Sequence, residues 1–254
     1  MQIIQSPAKL MNFKGLKEER EPTEPLFPGR TKALVTRCQQ LSVREIAVIM
    51  KINARMAQDV YEQFQTFAFR DTPQRAAALA YNGIAYNGLN AHDFSQEEYD
   101  FAQQQMNILS ALYGLLRPFD AIKPYRLDLL LDIAPKGYSS LYHFWQDSVN
   151  ATLSKKLRKE KEKIIINVAS NEFVKLVQIK RLPAGTKIID IRFLQQENSD
   201  FKQIVVHTKK ARGLITRFII KNRLTDAEDV KGFDDEGYFF YPALSKESEW
   251  VFVR

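Results

Sequence analysis

The chain has 254 residues, 45% hydrophobic and 26% charged, enough to bury a core without disulfides or metal staples. A formal charge of +7 favours acidic partners, nucleic acid before an anionic membrane surface. The lone Cys38 excludes an intrachain disulfide, and no apolar stretch approaches the roughly 20 residues that span a bilayer. The opening Met1-Gln2-Ile3-Ile4-Gln5-Ser6-Pro7 lacks the charged and apolar regions of a signal peptide, so a cytoplasmic protein without membrane contact is expected.

In chain order, Gln2–Gln5 reads as a first strand ending at a proline. Residues 14–30, rich in Glu, Lys, Pro and Gly, read as a long loop. Ser42-Val43-Arg44-Glu45 is a capping box opening a helix to about Met50, and Asn53 caps a second helix through Phe67. Ala77–Tyr81 and Ile84–Tyr86 are predicted as short strands around the turn signal Asn82-Gly83. Ser95-Gln96-Glu97-Glu98 opens a helix to about Gln105. Periodicity leaves Ile108–Leu116, broken by Gly114, either a strand or an embedded turn. Ser140–Lys159 is predicted as a long helix with a basic, solvated end. Lys163–Ala169 has the β-branched run of a buried strand. Further strands are expected at Lys187–Phe193, Gln203–Thr208, Tyr238–Tyr241 and Trp250–Val253, with a third capping box at Thr225-Asp226-Ala227-Glu228. Helices and strands interleave without regular βα units, repeats or a linker. The expectation is one α+β domain over residues 1–254, a mixed sheet with surrounding helices.

The run from Lys209 to Leu224 carries no acidic residue. On a helix, Ala211, Leu214, Ile215, Phe218 and Ile219 share one face. Lys210, Arg217 and Lys221 edge that face on one side, Arg212 and Arg223 on the other. Such margins suit a polyanion, because phosphate contacts release condensed counterions; they also suit a core helix whose cations reach to water.

Ser6-Pro7-Ala8-Lys9 matches Ser-x-x-Lys, but a proline after the Ser and the absence of Ser-Asp-Asn and Lys-Thr-Gly argue against a penicillin-recognising enzyme. A loop holding phosphate or carboxylate with Ser6 and Lys9 is the better reading. Asn167-Val168-Ala169-Ser170-Asn171-Glu172 follows the most apolar strand, where polar residues form a site or cap a helix. Tyr113-Gly114-Leu115-Leu116-Arg117-Pro118 and Pro124-Tyr125-Arg126-Leu127 place two arginines and two tyrosines near tight turns. His143 and Asp147 share a helical spacing but lack a third ligand, so no metal is expected. No recognised catalytic motif, Walker A, Gly-x-Gly-x-x-Gly or Cys-x-x-Cys is present, and no cofactor is expected.

Together, Ser6–Lys9, Leu109–Pro118, Pro124–Leu127, Asn167–Glu172, Lys209–Gly213 and Glu236-Gly237-Tyr238-Phe239 form an ordered set that resembles the signature blocks of the YaaA family of bacterial peroxide-stress resistance proteins. The resemblance implies a cytoplasmic protein that limits unincorporated iron and iron-dependent DNA damage under peroxide. It also implies DNA binding and a link to recombination or repair proteins. The implied fold is a single α+β domain with a basic cleft and a helix-hairpin-helix element; Gly114 is the one glycine fitting such a hairpin, and the element has no assigned place. No catalytic reaction comes with the family.

Two expectations follow. In the first, the protein binds duplex or junction DNA largely without sequence preference, through Lys209, Lys210, Arg212, Arg217, Lys221 and Arg223, with Arg117 and Arg126 as further candidates. In the second, it acts as an enzyme on nucleic acid or nucleotides, with Ser6, Lys9, Asn167, Ser170, Asn171, Glu172 and Lys210 lining one pocket and Glu172 as acid or base. Direct iron sequestration is disfavoured by three dispersed histidines and one cysteine.

Overall fold

A computed structural model describes residues 1–14, 21–198 and 200–254. Its strands are β1 (Gln2–Gln5), β2 (Arg75–Ala76), β3 (Met106–Ser110), β4 (Gly114–Leu116), β5 (Ala121–Ile122), β6 (Ile164–Asn167), β7 (Lys187–Glu197), β8 (Asp200–Lys202), β9 (Phe239–Phe240) and β10 (Glu249–Val253). The helices are α1 (Pro28–Gln39), α2 (Val43–Met50), α3 (Ala54–Gln65), α4 (Ala77–Ala80), α5 (Ile84–Leu89), α6 (Gln96–Gln105), α7 (Leu141–Leu157), α8 (Asn171–Val174) and α9 (Val205–Lys221).

The sheet runs β4-β3-β1-β6-β7-β10-β9, with β8 paired to β7. Its centre, β3-β1-β6-β7-β10, is parallel, and β4, β8 and β9 pair antiparallel at its margins. This is the mixed sheet of a single α+β domain, as the sequence led one to expect. The central strands are buried on both faces, which is why they read as unbroken apolar runs. Ile4 and Ile165 face one core, together with α1–α5 and α7. Ile3, Ile166 and Ile189 face the other, which α9 covers with Ala211, Ile215 and Ile219.

The caps at Ser42, Asn53 and Ser95 each accept the backbone N–H of the third helical residue, as predicted, and Ser140 does the same at the start of α7. Other expectations are corrected. Residues 28–30 are not loop but the start of α1, which opens on Pro28 without a side-chain cap; residues 15–20 of the expected loop lie outside the described residues. Ala77–Ala80 and Ile84–Tyr86 form helix rather than strand, while Tyr81 is extended and bridges to Met11. Gly83 is extended (φ −133°), so Asn82-Gly83 does not make the positive-φ hairpin turn its sequence suggests. Residues 203–208 are not a strand: β8 ends at Lys202, Ile204 is the extended N-cap, and the chain turns helical at Val205. The box at Thr225 opens no α-helix, because the Asp226 carboxylate takes the Glu228 N–H at 2.9 Å. Within the basic end of α7, Lys156 turns inward and donates to Asn107 Oδ1 at 2.6 Å. Gly114 has φ +73° in the turn between β3 and β4, and a Cβ there would lie 2.4 Å from the Trp145 ring. Only glycine fits.

Candidate functional site

Strand β1 is the point at which the sheet order reverses. The chain goes from β1 to β3 and β4 on one side, then to β6, β7, β10 and β9 on the other. Ligands of open parallel sheets sit outside the carboxyl ends of the strands at such a switch. Here β1 and β6 are parallel and in register, Ile4 opposite Asn167, so both leave the sheet at one edge. Ser6 and Ser170 therefore meet: Ser170 N donates to Ser6 Oγ at 2.8 Å.

Four further segments converge there. The loop after β1 is clasped to the α4–α5 junction, with Asn82 N donating to Leu10 O at 2.8 Å and Tyr86 Oη to Ser6 O at 2.9 Å. Tyr125 Oη bonds Tyr81 Oη at 2.7 Å and Ser110 Oγ at 2.8 Å, which anchors the Pro124–Leu127 turn. Burial pushes the Tyr125 phenol up to about 12 and raises Tyr81 and Tyr86 as well, so all three are neutral at pH 7. Glu172, in the first turn of α8, accepts Leu129 N at 2.9 Å. Lys9 pairs with Asp128 at 2.8 Å. The last segment is the first half of α9, which brings Lys209 and Arg212.

These segments enclose a cavity of about 450 Å³. Among its lining residues, Lys9, Arg126, Lys209 and Arg212 are cationic and Asp128 and Glu172 anionic, a formal excess of two positive charges. Tyr86, Tyr125, Ile84, Leu127 and Phe173 supply apolar wall. Four buried atoms in the lining have no hydrogen-bond partner among the described residues: Nε2 and Oε1 of Gln5, Nε of Arg126 and Nε of Arg212. Burial also pulls the Arg212 guanidinium below its usual range. Buried polar groups are ordinarily paired, and their gathering at one cavity marks a place prepared for a ligand.

The remaining expected site residues lie elsewhere. Asn167 donates to Asp190 Oδ1 at 2.6 Å and accepts Ala169 N at 2.9 Å, shaping the strand end instead of lining the cavity. Asn171 is exposed and outside the lining. Lys210 pairs with Glu236. Arg217 makes two 2.7 Å bonds to the Asp93 carboxylate, and Lys221 reaches Glu98 at 2.8 Å. Arg223 pairs with Glu97. Arg117 holds Asp120 at 2.7 Å and the Glu24 carbonyl at 2.8 Å. Of the eight cations expected to contact DNA, only Arg126, Lys209 and Arg212 have no carboxylate partner among the described residues. Arg117 meets a carboxylate three residues on; the four α9-run cations meet carboxylates from distant segments, chiefly around α6, which a local reading of an acid-free run does not reveal.

Gln5 is the residue the sequence reading passed over. Its signal was a polar side chain closing an apolar strand at the carboxyl end; it is 1% exposed. Asp128, invisible as a site residue in sequence, holds Lys9. Asp147, one helical turn from His143, pairs with Arg181, and no group of three or more potential metal ligands gathers among the described residues. No helix among the described residues is long and apolar enough to cross a membrane.

The fold and site thus define an α+β protein with a largely apolar-walled cavity, its charged lining residues net cationic, at the switch point of a mixed sheet. A family model described as peroxide stress protein YaaA matches residues 1–244, and the chain belongs to that family.

Proposed function

We propose that the protein binds DNA in the peroxide-stress response, limiting iron-dependent damage to the DNA it covers, and that the cavity mouth is the centre of a basic cleft. The observation that carries this reading is the convergence at one opening of Arg126, Lys209 and Arg212, none with a carboxylate partner among the described residues. Cations already neutralised must give up an ion pair to take a phosphate, whereas these three need not. Nothing in the arrangement presents a helix of the kind that reads a major groove, so contacts to the backbone are expected to be independent of sequence.

The test is fluorescence anisotropy with labelled duplex, junction and single-stranded DNA. Arg126→Ala/Arg212→Ala should weaken binding at least tenfold. Arg217→Ala/Lys221→Ala should leave affinity within about threefold while lowering Tm, because it strands Asp93 and Glu98. Equal losses in both double variants, or no binding by the wild type, would remove the reading.

A second reading, an enzyme acting on nucleic acid or nucleotides, is supported by the presence of Ser6, Lys9, Ser170 and Glu172 in the same lining. Lys9 and Glu172 are engaged by Asp128 and Leu129, so they act in this reading only if ligand entry releases them. Product analysis of the same oligonucleotides, with Glu172→Gln as control, separates the readings: unaltered DNA leaves binding alone.

A further inference from the structure

We propose that the cavity is a single-nucleotide site in which Gln5 pairs with the edge of the base and Arg126, Lys209 and Arg212 hold the phosphate. The inference rests on the nucleic-acid reading above and adds what the cavity itself admits.

Gln5 carries the argument. Its amide is buried at the end of β1, lines the cavity, and has neither its donor nor its acceptor used among the described residues. Leaving both unmade costs stability, so the side chain is a poor choice for a purely structural position. A planar amide presents a donor beside an acceptor, and a base edge answers with the complementary pair. Inorganic phosphate would satisfy the cations but leave this amide idle. A purely apolar ligand would leave the guanidinium Nε atoms idle too. A ligand that answers the whole lining joins an anion to a flat group with a donor–acceptor edge and apolar faces. A nucleoside monophosphate unit does so.

Size and charge agree. The volume of about 450 Å³ falls within the roughly 300–1,000 Å³ of small-ligand sites. The excess of two positive charges in the lining matches a phosphate monoester, about −1.5 to −2 at pH 7. The two carboxylates are turned to other work: Asp128 on Lys9 and Glu172 on the Leu129 N–H. Tyr86, Tyr125 and Phe173 offer ring surface to the faces of a base. The same chemistry arrives either as a free nucleotide or as a nucleotide everted from DNA.

Calorimetric titration with the four nucleoside 5′-monophosphates, their nucleosides and inorganic phosphate tests the site. At least one monophosphate should bind ten times more tightly than phosphate or its own nucleoside. Gln5→Met should lose that advantage, keep the phosphate affinity, and raise Tm, because it removes an unpartnered amide. Arg126→Ala, the second variant, should weaken phosphate and monophosphate together. A duplex carrying 2-aminopurine identifies the source: a rise in fluorescence on binding means an everted nucleotide, and monophosphate binding without that rise means a free one. If duplex DNA binds but no monophosphate outdoes phosphate and 2-aminopurine stays dark, the nucleotide site is wrong while the DNA reading stands. If monophosphates bind and no DNA does, the site stands and the DNA reading falls. Unchanged monophosphate affinity in a folded Gln5→Met overturns the role of Gln5.

Discussion

Cys38 is the one thiol of a chain from a peroxide-stress family, and its environment decides whether it can sense peroxide. It lies on the inner face of α1 with Thr31, Leu34 and Val35, 1% exposed. Burial pushes the thiol up to about 12, outweighing the opposite pull of Arg37. The thiolate is the reactive form, so the native protein holds almost none at pH 8. Ellman's reagent should therefore label native Cys38 only as fast as the chain unfolds, and stoichiometrically within seconds in guanidinium chloride. Prompt labelling of the folded protein would contradict the burial and reopen a redox role. As it stands, Cys38 behaves as a small core hydrophobe, and any response to peroxide lies elsewhere in the molecule.

At the scale of elements, the site depends on how α5 docks against α9. The two helices approach backbone to backbone: a Cβ on Gly213 would lie 1.8 Å from Ala85 O, and one on Gly88 2.6 Å from Lys210 O. The same contact fixes two walls of the cavity, Ile84–Tyr86 from α5 with the Asn82-Gly83 junction before it, and Lys209 with Arg212 from α9. Gly213→Ala should thus cost about 3 kcal/mol of stability, at the upper end of overpacking penalties, and weaken DNA binding in whatever fraction still folds. Denaturant titration measures the first effect and anisotropy the second; wild-type stability in Gly213→Ala would mean that the helices sit further apart. This docking also explains what the sequence hid. The α9 pattern, the caps at Ser42, Asn53 and Ser95 and the β-branched β6 were legible, because each is written in adjacent residues. The helical state of Ala77–Ala80 and Ile84–Leu89 was not, because an Asn-Gly pair marks a reversal without saying which elements flank it. Nor does Gly213 look different from any helical glycine until Ala85 is set against it. Gln5 and Arg126 follow the same rule: they meet in one lining only because β1, the Pro124–Leu127 turn and α9, far apart in sequence, converge there.

Over the whole molecule, the +7 charge says less about DNA than the pairing of its cations. Eight lysines and arginines were candidates from sequence, and folding gives five of them carboxylate partners: Lys210, Arg217, Lys221, Arg223 and Arg117. Counterion release turns this difference into a number. With about 0.9 cations released per phosphate contact, three contacts give a slope of about −3 in log affinity against log salt, and eight give about −7. Raising salt from about 50 to 200 mM should then weaken binding about 40-fold in the first case and about 20,000-fold in the second. The expected slope is the shallower one, and Arg126→Ala/Arg212→Ala should flatten it by about two more, toward −1. A wild-type slope near −7 would show that the ion pairs along α9 open to admit phosphate, making the helix edge the contact surface and the cavity incidental to it. A slope near −3 that survives Arg217→Ala/Lys221→Ala would confine the phosphate contacts to the cavity mouth, where the unpartnered guanidinium groups lie.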